Sequence, residues 1–439
     1  MYYAPKWYVI KTWNYDQTVH RKPEDISKAM IISKGFKYQL RLTQKQVSLC
    51  SQTAGSCRYV WNRGLAIKKE LWEKKKESIS RFDLDNLLIE WKREHDWLSI
   101  PPSQSLQQVN KDLGQAFNNF FQGRGYPKFK KKGIHDSFRL PQGITLMNQL
   151  SKKVGQAKLP KLGIVRFTKT RELEGKIKHV TISKTCGKWY IAFNCEVGIS
   201  LPKEMPQSQI GIDRGIKTFA QCSDGQAVQG VSPLKKNLKR LAKLQRQLSK
   251  KNKFSSNWRK VKQKIEKLHY HIANVRKDFL HKTSTQLAKS HSFIVMEGLK
   301  TKAMVRSAKG TKEDPGKNVK LKSQLNRSIL DQGWYTFQNY LSYKLDLRGG
   351  RLILISPENT STKCRICGHI AKENRKTQAE FHCIQCGHNE NADLNASINI
   401  LAEGHSVIAC GVETIVSTVK QELQIRKPVT GISWRIPSL

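Results

Sequence analysis

The spacing of apolar residues changes several times along the chain, and each change marks a different kind of element. Residues 1–33 hold aromatics and prolines without a clear period and read as an N-terminal extension. Apolar and polar residues then alternate over 36–43, the pattern of a strand with one buried face. Val47, Cys50, Ala54, Cys57 and Trp61 follow at helical spacing and open a helical bundle. Leu106, Val109, Leu113, Phe117 and Phe120 repeat that spacing within 105–121, where Gly123, Gly125 and Pro127 bring it to an end. Between 159 and 197 the period returns to two, most clearly at Trp189, Ile191, Phe193, Cys195 and Val197, and predicts a small antiparallel β-barrel.

A second architecture begins near Gln209. Ile210, Ile212 and Asp213 precede Gly215, and a strand over 217–222 runs to the Ser223-Asp224-Gly225 turn, so this is a hairpin that carries an acid. Leu234, Leu238, Leu241, Leu244 and Leu248 mark one long helix. Trp258, Val261, Ile265, Leu268, Ile272, Val275 and Phe279 mark another, and the two are expected to pack as an antiparallel hairpin. Their outer faces are crowded with Lys and Arg, which is either ordinary helix surface or, the favoured reading, the lining of a nucleic-acid channel. A short apolar strand over 293–296 ends at Glu297, and residues 300–322 read as mobile, a lid or a disordered loop. One helix over about 326–347 leads through Gly349-Gly350 into a strand over 351–355. Beyond Gly404 no pattern persists, and 406–439 read as a C-terminal tail.

Charge narrows the partner class. Lys and Arg number 79 against 34 for Asp and Glu, a formal charge of +45 on 439 residues. Such an excess repels itself unless a polyanion lies among the charges, and it runs from Lys6 to Arg435 rather than sitting in one arm. Nucleic acid enclosed by several domains is the expected partner. The length exceeds what a single core usually supports. No apolar run of about 18 residues is present, so a soluble, reducing, cytoplasmic setting with no membrane partner is expected.

Ten cysteines are present, and four of them fall as Cys364-x2-Cys367, a gap of 15 residues, and Cys383-x2-Cys386. Two such knuckles can close a tetrahedron of thiolates around one Zn²⁺. Gly368 and Gly387 follow the knuckles where the backbone must turn tightly. Four thiolates leave no open position, so the zinc is structural, and His369, His382 and His388 are spare neighbours.

Three acids stand at element ends beside apolar strands: Asp213 in IGIDRG, Glu297 in IVMEGL and Asp393 in NADLNASINI. Singly each reads as a turn, cap or surface acid. Their order, a hairpin acid, a strand-end acid and an acid opening a helix, is the layout of RNase H-like nucleases. Carboxylates suit Mg²⁺, or Mn²⁺, and several of them can hold two ions for phosphodiester cleavage. The loop YPKFKKKG at 126–133 offers Tyr126, Lys128, Lys130 and Lys131 for base stacking and phosphate contact, or is a solvated turn.

GIDRGIKTFAQCSDG, VMEGLKTKAM, CRICG to CIQCG, and NADLNASINI together resemble the TnpB (OrfB) family of insertion-sequence RNA-guided nucleases, which is related to compact type V CRISPR effectors. FKYQLRLTQKQ, CRYVWNRGL, LQQVNKDLGQAFNNFF and LPKLGIVRF extend the likeness over roughly residues 31–405. The resemblance implies an α/β protein with β-barrel and helical parts. Its RNase H-like (RuvC) nuclease domain would occupy 209–363 and 391–405, with a zinc-ribbon insertion at 364–390. A wedge-type β-barrel at 34–43 and 122–208 would carry a helical recognition insertion at 44–121. It further implies a guide RNA, a double-stranded target DNA, a short flanking duplex motif, catalysis at Asp213, Glu297 and Asp393, and one protein chain per RNA complex. Ser103, Gln104 and Gln107 resemble the family's helix start that faces the duplex, where an amide can pair with adenine; Ser103 or Ser105 as a plain helix cap is the competing reading. The family's usual third motif has Arg before the Asp, and this chain has Ala392. A compact type V CRISPR effector, and an RNA-guided DNA-binding regulator that does not cut, are the alternative readings of the same motifs.

Overall fold

The computed structural model describes residues 30–199, 206–311 and 313–409. Most of the expected N-terminal extension and C-terminal tail therefore lies outside the described residues. The chain divides into two units, Met1–Ser200 and Leu201–Leu439.

In the first unit β1 (Met30–Arg41) buries Phe36, Tyr38 and Leu40 at alternate positions, the reason this stretch is a strand. It takes in the last four residues of the expected extension, 30–33. β1 pairs antiparallel with β5 (Gly163–Thr168) and β7 (Lys188–Ile199). With β2 (Ser137–Leu140), β3 (Thr145–Ser151), β4 (Val154–Leu159) and β6 (Lys176–Thr185) these form one seven-stranded sheet, ordered β2-β6-β7-β1-β5-β4-β3. Tyr38, Phe167 and Phe193 meet in its core with ring centroids 5.1–6.1 Å apart.

Between β1 and β2 the chain runs through three helices. α1 (Gln44–Lys75) opens on a capping box of Thr43 and Gln46 and continues well past the periodic stretch that announced it. α2 (Arg81–Glu94) falls inside the insertion expected to be helical but was not singled out there, although Ser80 and Asp83 form a second capping box and Leu84, Leu88 and Trp91 are buried at helical spacing. α3 (Ser103–Phe121) buries Leu106, Val109 and Leu113. Neither Ser103 nor Ser105 caps it: Pro102 holds the cap position, and the buried Ser105 hydroxyl donates instead to Arg139 O at 2.8 Å.

The second unit is built on five strands: β8 (Gln209–Asp213), β9 (Thr218–Cys222), β10 (Ala227–Gln229), β11 (Phe293–Glu297) and β12 (Arg351–Ile355), ordered β10-β9-β8-β11-β12. The first three pair antiparallel, while β11 runs parallel to both β8 and β12. Ile294, Val295 and Met296 are all buried, as a central parallel strand covered on both faces requires. Ile294 and Met296 join a core with α5 (Ser256–Ser290) and α8 (Trp334–Asp346), including Leu280, Leu287, Phe337 and Leu341. Val295, Ile353 and Ile355 meet Ile400 of α9 (Ala392–Ala409). Two glycines let α9 lie that close. A Cβ on Gly211 would stand 2.2 Å from Ser397 O, and one on Gly404 2.4 Å from Val295 Cγ2. Gly404 is thus a packing contact inside α9 rather than its end.

α4 (Pro233–Ser249) packs on α5 through Leu241, Leu268 and Ile272, the hairpin that the leucine spacing predicts. Two other expectations are corrected. The helix expected over 326–347 is two, α7 (Val319–Gln332) and α8, because Gly333 takes a left-handed φ of +72° between them. The segment expected as a lid or a disordered loop is no disordered loop: it contains α6 (Thr301–Met304), a bridge from Gly310 to Pro315 and the start of α7. Lys322 Nζ donates to Met304 O at 2.9 Å and Asn326 Nδ2 to Val305 O at 3.0 Å, which ties α7 back to α6.

Candidate active site and metal centre

The two cysteine knuckles fold alike. Cys364 N donates to His369 O at 2.9 Å and Gly368 N to Cys364 O at 2.9 Å; in the second knuckle Cys383 N donates to His388 O at 2.8 Å and Gly387 N to Cys383 O at 3.0 Å. Gly368 and Gly387 have φ of +75° and +71°, which favours glycine after each turn. The four ligand sulfurs lie within 4.8 Å of one another, with Cys364 to Cys386 at 3.7 Å and Cys367 to Cys383 at 3.5 Å. A regular tetrahedron with Zn–S bonds of about 2.3 Å places sulfurs about 3.8 Å apart, so the set fits Zn²⁺. The buried Asn374 joins the knuckles, donating to Thr362 O and His369 O and accepting from Ile384 N at 3.1 Å.

Asp213, Glu297 and Asp393 line one cavity of about 280 Å³. Asp213 and Glu297 end the neighbouring strands β8 and β11, and Asp393 sits in the first turn of α9. Asn391 sets that turn, its Oδ1 accepting from the amides of Asp393 and Leu394 at 3.0 and 3.1 Å. All three acids are half-buried.

Sequence reasoning missed the residues that hold these acids. Thr360, from the strap after β12, donates its hydroxyl to Glu297 Oε1 at 2.6 Å. The strap is pinned by α9, where Asn399 Nδ2 donates to Thr360 O and to Lys363 O at 3.1 and 2.7 Å. Arg214 is buried next to Asp213 and donates to Glu297 O. Arg375, carried by the ribbon, donates to Asp393 Oδ1 at 3.2 Å and to Gln378 O at 3.0 Å. A guanidinium thus reaches the third acid although Ala392 stands where the family's motif has Arg. Its approach depends on how the ribbon folds, which no local pattern announces.

Burial pushes the Asp213 carboxyl up to about 7, and the Glu297 and Asp393 charges push the same way against Arg375. Burial also raises Glu297, opposed by its Thr360 hydrogen bond. Asp213 and Glu297, both held back from ionising by burial, share the cavity with a third carboxylate, an all-oxygen donor set that fits hard divalent cations. A carboxyl raised on folding stabilises the fold below its unfolded pKa, and that stability is lost as pH rises through about 7. The metal-free chain is therefore expected to melt at lower temperature as pH rises from about 5 to about 8. Asp213→Asn should flatten that slope, and added Mg²⁺, which needs the ionised acids, should reverse it. Thermal melts across pH check both.

The predicted nucleic-acid contacts are dispersed over the first unit. Ser103 accepts from Lys92 Nζ at 2.8 Å, Gln104 is half-buried and Gln107 is exposed. Tyr126, Lys128 and Lys131 are exposed. Lys130 is exposed as a residue too, but its ammonium lies 3.9 Å from the Trp61 ring centroid, where desolvation lowers its pKa. The loop is no free turn: Trp61 Nε1 donates to Lys128 O at 3.0 Å, and Asn62 exchanges two hydrogen bonds with the Lys130 backbone at 2.7 and 3.0 Å.

Residues 192–308 match the family described as "Probable transposase" (OrfB, IS605), residues 30–77 its "Helix-turn-helix domain", and residues 334–400 a "Cas12f1-like, TNB domain". In this chain 30–77 form β1 and one unbroken helix rather than two helices and a turn. The chain is 47% identical over 379 residues to the "Putative RNA-guided DNA endonuclease InsQ" of Escherichia coli (strain K12), covering 86% of this chain and 93% of that protein. It is 30% identical over 390 residues to a "Putative RNA-guided DNA endonuclease" of Streptomyces pristinaespiralis, covering 87% and 91%. Its fold is similar, with a TM-score of 0.54 at 15% identity, to a chain in the "Cryo-EM structure of the Cas12f1-sgRNA-target DNA complex", over 84% of this chain and 98% of that one. By architecture the molecule thus shares the fold of the chain in that complex. By sequence it belongs to the OrfB (TnpB) family of insertion-sequence proteins.

Proposed function

We propose that this protein is an RNA-guided DNA endonuclease that hydrolyses phosphodiesters at Asp213, Glu297 and Asp393. The observation that carries the reading is the convergence of acids from β8, β11 and α9 in one cavity, in a chain of formal charge +45. The long relatives, by their names, support the same activity. In this reading the five-stranded sheet with α9 is an RNase H-like (RuvC) nuclease domain interrupted by the ribbon at 364–390, and the seven-stranded sheet is a wedge-type barrel bearing α1–α3 as the recognition part. One chain serves one guide RNA, and base pairing selects the double-stranded target while the protein contacts mostly backbone and a short flanking motif.

The three carboxylates would hold Mg²⁺, or Mn²⁺, which when bound activates an in-line water and stabilises the leaving oxygen. The remaining work falls to the chain itself. Thr360 fixes one oxygen of Glu297, whose carboxylate lines the cavity. Arg214 locks the backbone where β11 ends. Arg375 orients Asp393 and, with Lys217 also lining the cavity, offers positive charge to a phosphate entering there.

Arg375 is a positioning residue, and Arg375→Ala is expected to slow cleavage about 10- to 100-fold at saturating Mg²⁺, the usual cost of losing a group that orients a metal ligand. RNA-dependent DNA binding should stay unchanged, and Arg375→Lys should recover only part of the rate. Single-turnover cleavage beside gel-shift binding checks this. The guided part of the reading is tested by sequencing the RNA that co-purifies with the chain: one defined species is expected, and random cellular fragments would count against it.

A further inference from the structure

We infer that a cavity of about 610 Å³ on α1 receives one unpaired nucleotide of the bound nucleic acid. The inference rests on the nucleic-acid-guided reading above. Arg58, Tyr59, Asn62 and Arg63 of α1 line it on one side, and Trp97 and Ile100, just after α2, on the other. All lie within the first unit.

Two aromatic walls are already set. The Tyr59 and Trp97 rings stand at 81° with centroids 5.0 Å apart. His95 stacks on Trp97 at 5.5 Å, and its Nε2 meets the Tyr59 hydroxyl at 2.9 Å, which fixes both rings before any ligand arrives. Trp97 keeps 41% of its surface exposed, so a flat group can reach its face. An aromatic corner alone would also suit an ammonium through cation–π contact. Arg58 and Arg63 in the lining weigh against a cation and favour a ligand that is flat at one end and anionic at the other. Asp136 anchors Arg58 at 3.2 Å through one of its five N–H donors and leaves others to point elsewhere. A nucleotide has both ends, and the volume lies in the range of small-ligand sites, about 300–1,000 Å³.

The surroundings agree. Asn62 lines the cavity and, through its two bonds to the Lys130 backbone, holds beside it the loop that presents exposed Lys128 and Phe129. The cavity is thus bordered by further positive charge and a second exposed ring, the combination that tracks single strands. An unpaired guide-RNA nucleotide and one from displaced DNA offer the same chemistry, so the source is left to the experiment.

The full chain in its RNA complex is irradiated in two arms, one with 4-thiouridine in the RNA and one with 4-thiothymidine in the target DNA, and cross-linked peptides are read by mass spectrometry. Cross-links at Tyr59 or Trp97 are expected in one arm, which names the source. Trp97→Ala should weaken binding of that nucleic acid about five- to a hundredfold, the worth of one stacked base, while Trp97→Phe largely retains it. Arg63→Gln, at an exposed position, should weaken it more at low salt than at high salt. Cross-links elsewhere on the chain but none at this cavity in either arm overturn the inference. So does unchanged affinity in Arg63→Gln at both salt concentrations together with unchanged affinity, or failure to fold, in Trp97→Ala. Absence of guided cutting by the wild-type complex is a separate observation and bears on the broader reading.

Discussion

Asp213→Ala is expected to lower guided DNA cleavage by roughly a thousandfold or more while leaving RNA-dependent DNA binding in place. Asp213 shares its cavity with Glu297 and Asp393, whose charges both oppose its ionisation, so it lies in the midst of the negative charge that would hold metal. Without it the remaining acids are a poorer hard-ion site. The same substitution removes a carboxyl that folding has forced into a half-buried place, so the metal-free chain should melt no lower than wild type at about pH 8. Activity and stability are thus expected to separate, which a misfolded variant cannot imitate. Cleavage rates, gel shifts and melts on one preparation read all three; loss of binding as well would mean that Asp213 has another role.

Removing zinc is expected to act on the same site from outside it. The buried cluster of the ribbon comprises Cys364, Phe381, Cys383 and Ala392, too little apolar matter to order the segment unaided. Strands β13 (Glu380–His382) and β14 (Asn389–Asn391) are three residues each and pair only with one another. Chelation, or Cys364→Ser, should therefore release the ribbon, withdraw Arg375 from Asp393 and loosen the first turn of α9. Cleavage should fall at least about 10- to 100-fold, as for loss of Arg375 alone. Limited proteolysis should show new cuts confined to 364–390, and metal analysis about one zinc lost per chain. Undiminished cleavage by a zinc-free chain would separate the ribbon from the catalytic site.

The contrast between these two predictions follows what a sequence can display. The acids were legible because each stands at one end of a recognisable element, Asp213 and Glu297 closing short apolar strands and Asp393 opening a helix. The cysteines were legible because ligand spacing is local. Arg375 and Thr360 were not, since each acts through a strap or ribbon with no period, and their partners lie 18 and 63 residues away in sequence. Gly333 inside an apolar repeat reads equally as a tolerated interruption and a break; its left-handed backbone decides for the break. The helix α2 could have been found from Ser80-x-x-Asp83 and the spacing of Leu84, Leu88 and Trp91. Lys130 shows a different limit of the sequence. In a run of lysines all look alike, yet one is drawn onto Trp61 by an aromatic face that only the fold brings near it.

The central claim is guided, metal-dependent cutting, and one assay bears on it directly. The chain, purified with its co-expressed RNA, is given two plasmids that differ only in whether they carry the sequence complementary to that RNA, each with Mg²⁺ and with a chelator. Cutting of the matched plasmid in Mg²⁺, and in none of the other three reactions, is the predicted result. An intact matched plasmid, or equal cutting of both plasmids, would contradict it.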